Sequence, residues 1–154
     1  MKNQDLNGML TGLDNVKSLK GFKFAIAVSK NKDLILKEIE SIQEAVEQKD
    51  AFKTFENLRI ELCKEHSVKD SDNNPTIVND AYVLIDKQKF QEAFISLEKE
   101  HSKAITERKE QLAEAESYLK EECEIDFKCI KQSDISDEIT SEQISGIKFM
   151  IEDY

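Results

Sequence analysis

The sequence predicts a mainly α-helical protein: a long antiparallel helical hairpin with a small β-hairpin at its turn, a short C-terminal strand and short flanking helices. Three observations support this fold class. The 154 residues include only one proline and four glycines, so few positions interrupt a helix. Two long stretches carry apolar residues at helical spacing, and a segment rich in turn residues separates them. We therefore expect a single helical domain over residues 1–154.

The first predicted element is an N-terminal helix within residues 1–21. Its apolar side chains recur three or four residues apart, as they do on one face of an amphipathic helix. They are Leu6, Met9, Leu10, Leu13 and Val16. Gly8 and Gly12 each weaken a helix by about 1 kcal/mol relative to alanine, and Lys20 followed by Gly21 suits the end of the helix.

Residues 22–67 and 87–122 are predicted to form the two long helices of the hairpin. Both ranges lack proline and glycine, and both keep apolar residues close to a 3.5-residue rhythm. Glu, Lys, Gln and Arg cover the opposite face of each helix. The helix over residues 22–67 could be interrupted near Asn31 or at Lys49-Asp50, and the sequence leaves this alternative open.

Residues 69–86 (KDSDNNPTIVNDAYVLID) separate the two helices and predict the β-hairpin, because the apolar runs TIV and YVLI flank the turn residues NDA. The acidic opening of the segment, beginning at Asp70, resembles the start of an EF-hand calcium loop. Pro75, however, replaces the glycine of that loop, and Ala81 stands where a bidentate glutamate is required. We therefore expect a polar turn and no metal site here.

Residues 123–154 predict an acidic tail that consists of a strand and a helix. Apolar and charged residues alternate within residues 123–130, which is the period of a half-buried strand. Thr140 and Gln143 form a T-x-x-Q capping box at the start of the closing helix. The apolar side of that helix consists of Ile144, Ile147, Met150 and Ile151.

No stretch of the chain carries a catalytic signature: there is no G-x-S-x-G motif and no glycine-rich phosphate loop. Cys63, Cys123 and Cys129 lack CxxC spacing, which disfavours a disulfide framework and a zinc site. An E-x-x-H spacing ends at His101, but the predicted hairpin separates His101 from His66 by about 21 Å along the helix axis. We predict a protein without enzyme activity, metal or other cofactor.

The charge of the chain is unevenly distributed. The net charge is −10. Residues 1–32 carry six lysines and two acids, whereas residues 121–154 carry ten acids and three lysines. An acidic protein repels phosphates, so we expect no direct nucleic acid binding, although imitation of nucleic acid stays open.

No apolar run approaches the roughly 20 residues that span a bilayer and no signal-peptide core is present, so we expect no membrane segment and no secretion.

Two long helices bury one seam between them and leave much of each flank open, so we expect a protein partner or self-association into a homo-oligomer. A strand at 123–130 would also lie too far from the β-hairpin to pair with it, since residues 87–122 span roughly 54 Å as a straight helix. The expected contact residues are Phe52, Phe55, Phe90, Phe94, Ile125, Phe127, Ile147, Met150 and Ile151.

The order of short motifs resembles a group of small helical proteins of tailed bacteriophages and prophages. A helix led by K-N-x-x-x-x-x-E-I-E, an acidic K-D-S-D-N-N-P turn, an E-I-D-F-K-C-I-K segment and a final I-K-F-M-I-E-D follow one another in the same layout. The chain departs from the group at Pro75, where a turn glycine is usual, and in its longer second helix. The resemblance implies a location in the host cytoplasm or in the virion, and it assigns no catalytic residue.

The function that these observations favour is a non-enzymatic phage protein that acts by protein–protein contact, as a virion component or virion-assembly factor. One alternative is a soluble inhibitor of a host or defence protein, whose acidic surface imitates nucleic acid. A second alternative is a helical chaperone similar to prefoldin, because prefoldin subunits also combine long helices with a β-hairpin.

Overall fold

The computed structural model describes residues 1–154 and contains six α-helices and one two-stranded antiparallel sheet. The helices are α1 (Leu6–Val16), α2 (Phe22–Ala45), α3 (Asp50–Glu65), α4 (Lys87–Glu100), α5 (Ser102–Lys120) and α6 (Ser141–Ile147), and the strands are β1 (Ile77–Val78) and β2 (Ala81–Tyr82). The predicted mainly α fold class with a small antiparallel sheet is confirmed. The predicted arrangement as one long helical hairpin is not confirmed.

The chain divides into two compact units. The first unit comprises Met1–Val46 and Glu114–Tyr154, and the second comprises Glu47–Ala113. Helices α1, α2 and α6 belong to the first unit, whereas α3, the sheet and α4 belong to the second. Helix α5 contributes residues to both.

The predicted helix over residues 22–67 is two helices, α2 and α3. The interruption includes Lys49, which has an extended backbone (φ −67°, ψ 151°), and α3 begins at Asp50. The main-chain carbonyl of Glu47 accepts a hydrogen bond from the side chain of Gln111 at 3.0 Å. Because this side chain satisfies a carbonyl that the helix no longer uses, the chain can leave the helical conformation without a proline or glycine.

The predicted helix over residues 87–122 is also two helices, α4 and α5, and it ends at Lys120. The interruption is local, because helical hydrogen bonding continues through it. The amide of His101 donates to the carbonyl of Leu97 at 3.0 Å, and the amide of Ile105 donates to the carbonyl of His101 at 3.1 Å. The His101 ring packs against Phe55 with the ring centroids 5.9 Å apart, which gives the distorted residue a tertiary contact.

The core of the first unit forms where α1, α2 and α6 pack together. Helix α1 buries the predicted face, including Leu6 and Leu13. Gly12 of α1 and Gly146 of α6 allow this packing, since a Cβ atom added to Gly12 would lie only 2.2 Å from the Gly146 carbonyl oxygen. Gly12 therefore offsets its low helix propensity by permitting a close helix crossing.

Helix α6 begins with the predicted capping box. The Gln143 amide donates to the Thr140 hydroxyl oxygen at 3.2 Å, and the Thr140 amide donates to the Gln143 side-chain oxygen at 3.0 Å. The same Gln143 side chain also donates to the carbonyl of Asn15 in the last turn of α1 at 2.8 Å. One glutamine therefore caps α6 and holds it against the end of α1.

The predicted strand over residues 123–130 is not part of a sheet, and only single bridges occur at its ends, between Glu122 and Lys2 and between Ile130 and Ile151. Asn31 of α2, which is fully buried, takes the place of a neighbouring strand. Its side-chain amide donates to the carbonyl of Lys128 at 3.0 Å and accepts from the Lys128 amide at 2.7 Å. The prediction was wrong because the alternating pattern reports a half-buried extended chain and does not identify what satisfies its backbone. Cys129 breaks the alternation, since it is exposed.

The sheet of the second unit is a β-hairpin within the predicted residues 69–86. Asn79 and Asp80 connect the strands, and both have positive φ angles (50° and 60°), as the central residues of a type I′ turn do.

At the acidic start of the segment, the Asp70 carboxylate accepts hydrogen bonds from the amides of Asp72 at 2.9 Å and Asn74 at 2.8 Å. The acidic opening thus forms a side-chain-stabilised turn.

Candidate protein-contact surfaces

An aromatic seam joins α3 to α4 in the second unit. Phe55 contacts His101, and His66 contacts Phe90 with the ring centroids 5.8 Å apart. The remaining members of the seam are Phe52, which packs against Phe55, and Phe94, which stacks on Phe90. The four phenylalanines predicted as contact residues in this part of the chain thus form two clusters, each with one histidine packed against a phenylalanine ring.

The second unit buries very little besides this seam. Phe55, which is 5% exposed, is its only apolar residue in the fully buried class, while the other three phenylalanines of the seam are half-buried. Ser67 is buried as well, and its hydroxyl donates to the Lys64 carbonyl at 2.7 Å. A unit with one buried apolar side chain has little hydrophobic stabilisation of its own.

The β-hairpin of this unit exposes Ile77 on one face and, on the other, three apolar side chains that we call the hairpin patch (Val78, Val83 and Ile85). Val78 lies opposite Ala81 in the register, and the two-residue period of extended chain places Val83 and Ile85 on the side of Ala81. Val78 is 55% exposed and Ile85 is 69% exposed. The sequence predicted the hairpin but not this surface, although the uninterrupted apolar run of residues 82–85 signals a strand with no polar face.

A groove runs between α3 and α4, and we call it the α3–α4 groove. Its apolar side chains are Leu58, Leu62, Ala93 and Leu97, and its polar ones are Glu61, Glu65, Ser96 and Glu100. No lysine or arginine lines it. The three glutamates make no salt bridge within the chain, so the groove combines an apolar floor with uncompensated negative charge.

The other predicted contact residues lie in the first unit, and the structure places them mainly in its core. Ile147 and Met150 are fully buried, and Ile151 is nearly so. Ile125 and Phe127 are half-buried, and the Phe127 ring packs edge-on against Phe149 with the centroids 4.8 Å apart. These residues stabilise the first unit, and we do not include them in the contact surfaces.

Helix α2 and the loop before it present an exposed apolar and basic surface that the sequence did not predict, which we call the α2 outer face (Phe22, Ile26 and Lys30 on the helix, and Lys20 two residues before it). Phe22 is 83% exposed and Ile26 is 39% exposed. Both lysines are exposed and make no salt bridge. The sequence signal was the phenylalanine at the start of the helix, out of phase with the buried positions that begin at Phe24.

Ionisable groups with perturbed pKa values lie in hydrogen-bonded surface pairs. The Tyr118 hydroxyl donates to the Glu38 carboxylate at 2.5 Å, and this bond is the main reason that the pKa of Tyr118 rises to about 12. The pKa of Asp14 is lowered chiefly by its hydrogen bond with Lys32 at 2.7 Å. No three His, Cys, Asp or Glu side chains converge as a metal-binding set. These pairs link neighbouring segments at the surface.

None of the helices combines the length and the apolar character needed to cross a lipid bilayer. Comparisons with protein-family models, with curated proteins and with solved structures gave no match to this chain. Function is therefore argued from the exposed surfaces of the chain.

Proposed function

We propose that this chain acts without catalysis, by protein–protein contact, as a virion component or virion-assembly factor of a tailed bacteriophage. The observation that carries this proposal is the second unit, which buries one apolar side chain and exposes the hairpin patch. Contiguous exposed apolar surface favours association with another protein, because contact removes that surface from water.

We infer further that the second unit works as a short helical hairpin with the β-hairpin at its tip. Phe55, early in α3, contacts His101 at the end of α4, and His66 at the end of α3 contacts Phe90 early in α4. These two contacts support opposite directions for the two helices. Such a hairpin presents its tip residues to a partner while the aromatic seam keeps the helices paired.

The hairpin patch offers enough apolar surface to matter energetically. Burying a valine or isoleucine side chain fully contributes about 1.5–3 kcal/mol, and roughly half of that remains available at a side chain that is half exposed. Covering the three side chains of the patch would therefore contribute about 3 kcal/mol in total. A contact of this size is sufficient to position a subunit when several copies act together in an assembly.

Affinity capture from phage-producing cells tests the proposal. The full chain should retain capsid, portal or tail proteins, identified by mass spectrometry, and an Ile85→Lys variant should lose them. A Gln91→Lys variant is the matched control, because Gln91 is exposed on α4 and lies outside the patch. Recovery of a single host nuclease or polymerase in place of virion proteins would contradict the proposal.

One observation favours the alternative function, an inhibitor that imitates nucleic acid. Glu122, Glu124 and Asp126 are exposed at every second position of the extended segment, so their carboxylates recur about every 6.6 Å along the chain. A regular row of negative charge suits a basic nucleic-acid-binding cleft. A partner bound in this way should dissociate as ionic strength rises, whereas a partner on the hairpin patch should not.

A further inference from the structure

We infer that the α2 outer face of one molecule docks into the α3–α4 groove of a second copy of this chain. The inference rests on the proposed function, which it deepens by naming one partner and the two surfaces that meet. Neither surface has a partner within the chain, and their chemistry is complementary.

The α2 outer face is apolar at its centre and basic at its edges. Helix α2 buries the side that carries Phe24, Asn31 and Ile35, so residues half a turn away point outward. Phe22 and Ile26 are one turn apart on that outward side. Five lysines and no acidic residue occur in residues 15–32; three of these lysines pair with Asp14 or Asp134, which leaves Lys20 and Lys30 for a partner. This is the region of the chain most suited to an acidic partner.

The α3–α4 groove has the opposite charge and the same apolar character. Its floor is aliphatic, and Glu61, Glu65 and Glu100 are free to pair with cations from outside. An aromatic side chain such as Phe22 would fill the floor, and lysines beside it would meet the glutamates. Charge complementarity of this kind selects the partner and its register.

The lengths of the two surfaces also agree. The groove follows α3 from Leu58 to Glu65, which is about 10.5 Å at 1.5 Å per residue. The outer face from Phe22 to Lys30 is about 12 Å long by the same rise. One helix can therefore place both its apolar side chains and a terminal lysine within the groove.

The geometry of such a contact has a consequence for assembly. The two surfaces are different, so each molecule that donates its α2 outer face keeps its own α3–α4 groove free for the next. A heterologous contact of this type builds rings or filaments, or a closed dimer where two molecules fill each other's grooves. Repeated contact between identical subunits is what a virion component needs.

Sedimentation velocity of the full chain at low ionic strength tests the contact. The chain should form dimers or larger species as its concentration rises, and added salt should reverse this. Phe22→Asp should weaken the association at least about thirtyfold, as loss of a central aromatic anchor does. Because Phe22 is 83% exposed, circular dichroism should show an unchanged fold. Leu36→Asp is the control, since Leu36 is exposed on α2 about 21 Å further along.

Charge-swapped variants give the decisive arm of the experiment. One variant carries Lys20→Glu with Lys30→Glu, and the other carries Glu61→Lys with Glu65→Lys. Each should be monomeric alone, because like charges meet, and a mixture of the two should associate, because opposite charges meet at every contact.

Three results would overturn the inference: a monomeric wild-type chain, a Phe22→Asp variant that associates normally, or a mixture of swapped variants that stays monomeric. None of them would remove the proposed function if affinity capture still retained virion proteins through the hairpin patch. Loss of that capture with intact self-association would remove the proposed function in a virion and leave the contact between copies standing.

Discussion

The two units of this chain differ in how far they are stabilised by their own residues. The first unit has 87 residues, from 46 plus 41, and twelve of its apolar residues are fully buried. The second unit has 67 residues and only Phe55 in that class. The first unit is thus built around a core, whereas the second depends on its helices, a seam of half-buried rings and a turn. The difference identifies the second unit as the part of the molecule that gains most from a partner.

The difference does not come from a shortage of apolar residues in the second unit. Leu58, Ile77, Val78, Ile85 and Ile95 are all present but exposed. In the first unit three helices and the segment of residues 123–130 surround one another, so the apolar faces of α1 and α6 meet the inner face of α2. Two helices alone leave their outer apolar side chains uncovered.

The largest effect that we expect comes from a pair of truncations that compares the two units. Leu13→Ala removes a fully buried side chain from the close-packed first unit and should cost about 4 kcal/mol. Phe55→Ala removes more atoms but should cost only about 2 kcal/mol, because the open seam can collapse around the gap. Urea unfolding followed by circular dichroism measures both. A larger loss for Phe55→Ala than for Leu13→Ala would contradict the comparison.

A substitution of Gly12 tests the close crossing of α1 and α6. Gly12→Ala should destabilise the first unit by about 3 kcal/mol, because the new methyl group would meet the Gly146 carbonyl at 2.2 Å. Gly8→Ala is the matched control in the same helix, since no atom lies within 4 Å of its added Cβ. That control should stabilise the chain by about 1 kcal/mol through helix propensity. Thermal melting of both variants should move in opposite directions, and a shift in the same direction would refute the crossing.

The role of Asn31 can be tested in the same unit. Asn31→Ala leaves the amide and carbonyl of Lys128 without their partners and should cost about 2–3 kcal/mol. Asn7→Ala is the control, because Asn7 is exposed on α1. Hydrogen exchange should show that the Lys128 amide loses protection in the Asn31 variant alone. Unchanged protection would mean that Asn31 does not hold the extended segment.

The smallest effect is the pH dependence that Asp14 contributes. Its pKa is lowered in the folded chain, mainly by the hydrogen bond with Lys32, so the folded state favours the ionised form. The stabilisation is present above the ordinary pKa of aspartate and is lost as pH falls through the lowered value. Asp14→Asn should therefore melt slightly earlier than the wild-type chain near neutral pH and at the same temperature in strong acid. If the difference in melting temperature between the two chains grew as the pH fell, the pKa of Asp14 would not be lowered by Lys32.

Local signals predicted much of the first unit. The apolar face of α1 and the capping box of Thr140 and Gln143 involve residues a few positions apart, so the sequence alone reveals them. The partners of Gly12 and Asn31 lie over 90 residues away in the chain. Such contacts depend on which segments meet in space, and the spacing of apolar residues along the chain does not predict them.

The contact surfaces were less predictable than the helices. The phenylalanines of the aromatic seam were identified because they follow the helical period. The hairpin patch and the α2 outer face were missed because an apolar residue outside the period looks the same in sequence whether it is buried or exposed. Ile147 and Met150 were wrongly predicted as contact residues, because an apolar helix face looks the same in sequence whether it binds a partner or packs inward, as this one does.

Native-state hydrogen exchange of the isolated chain tests most directly whether the second unit is incompletely stabilised on its own. Dilute chain should exchange the amides of α3 and α4 roughly a hundredfold faster than those of α1 and the second half of α2, because few buried apolar contacts oppose local opening. Raising the chain concentration, or adding a captured partner, should slow exchange in α3 and α4 and leave α1 unchanged. Equal protection of both units in dilute chain would contradict the account.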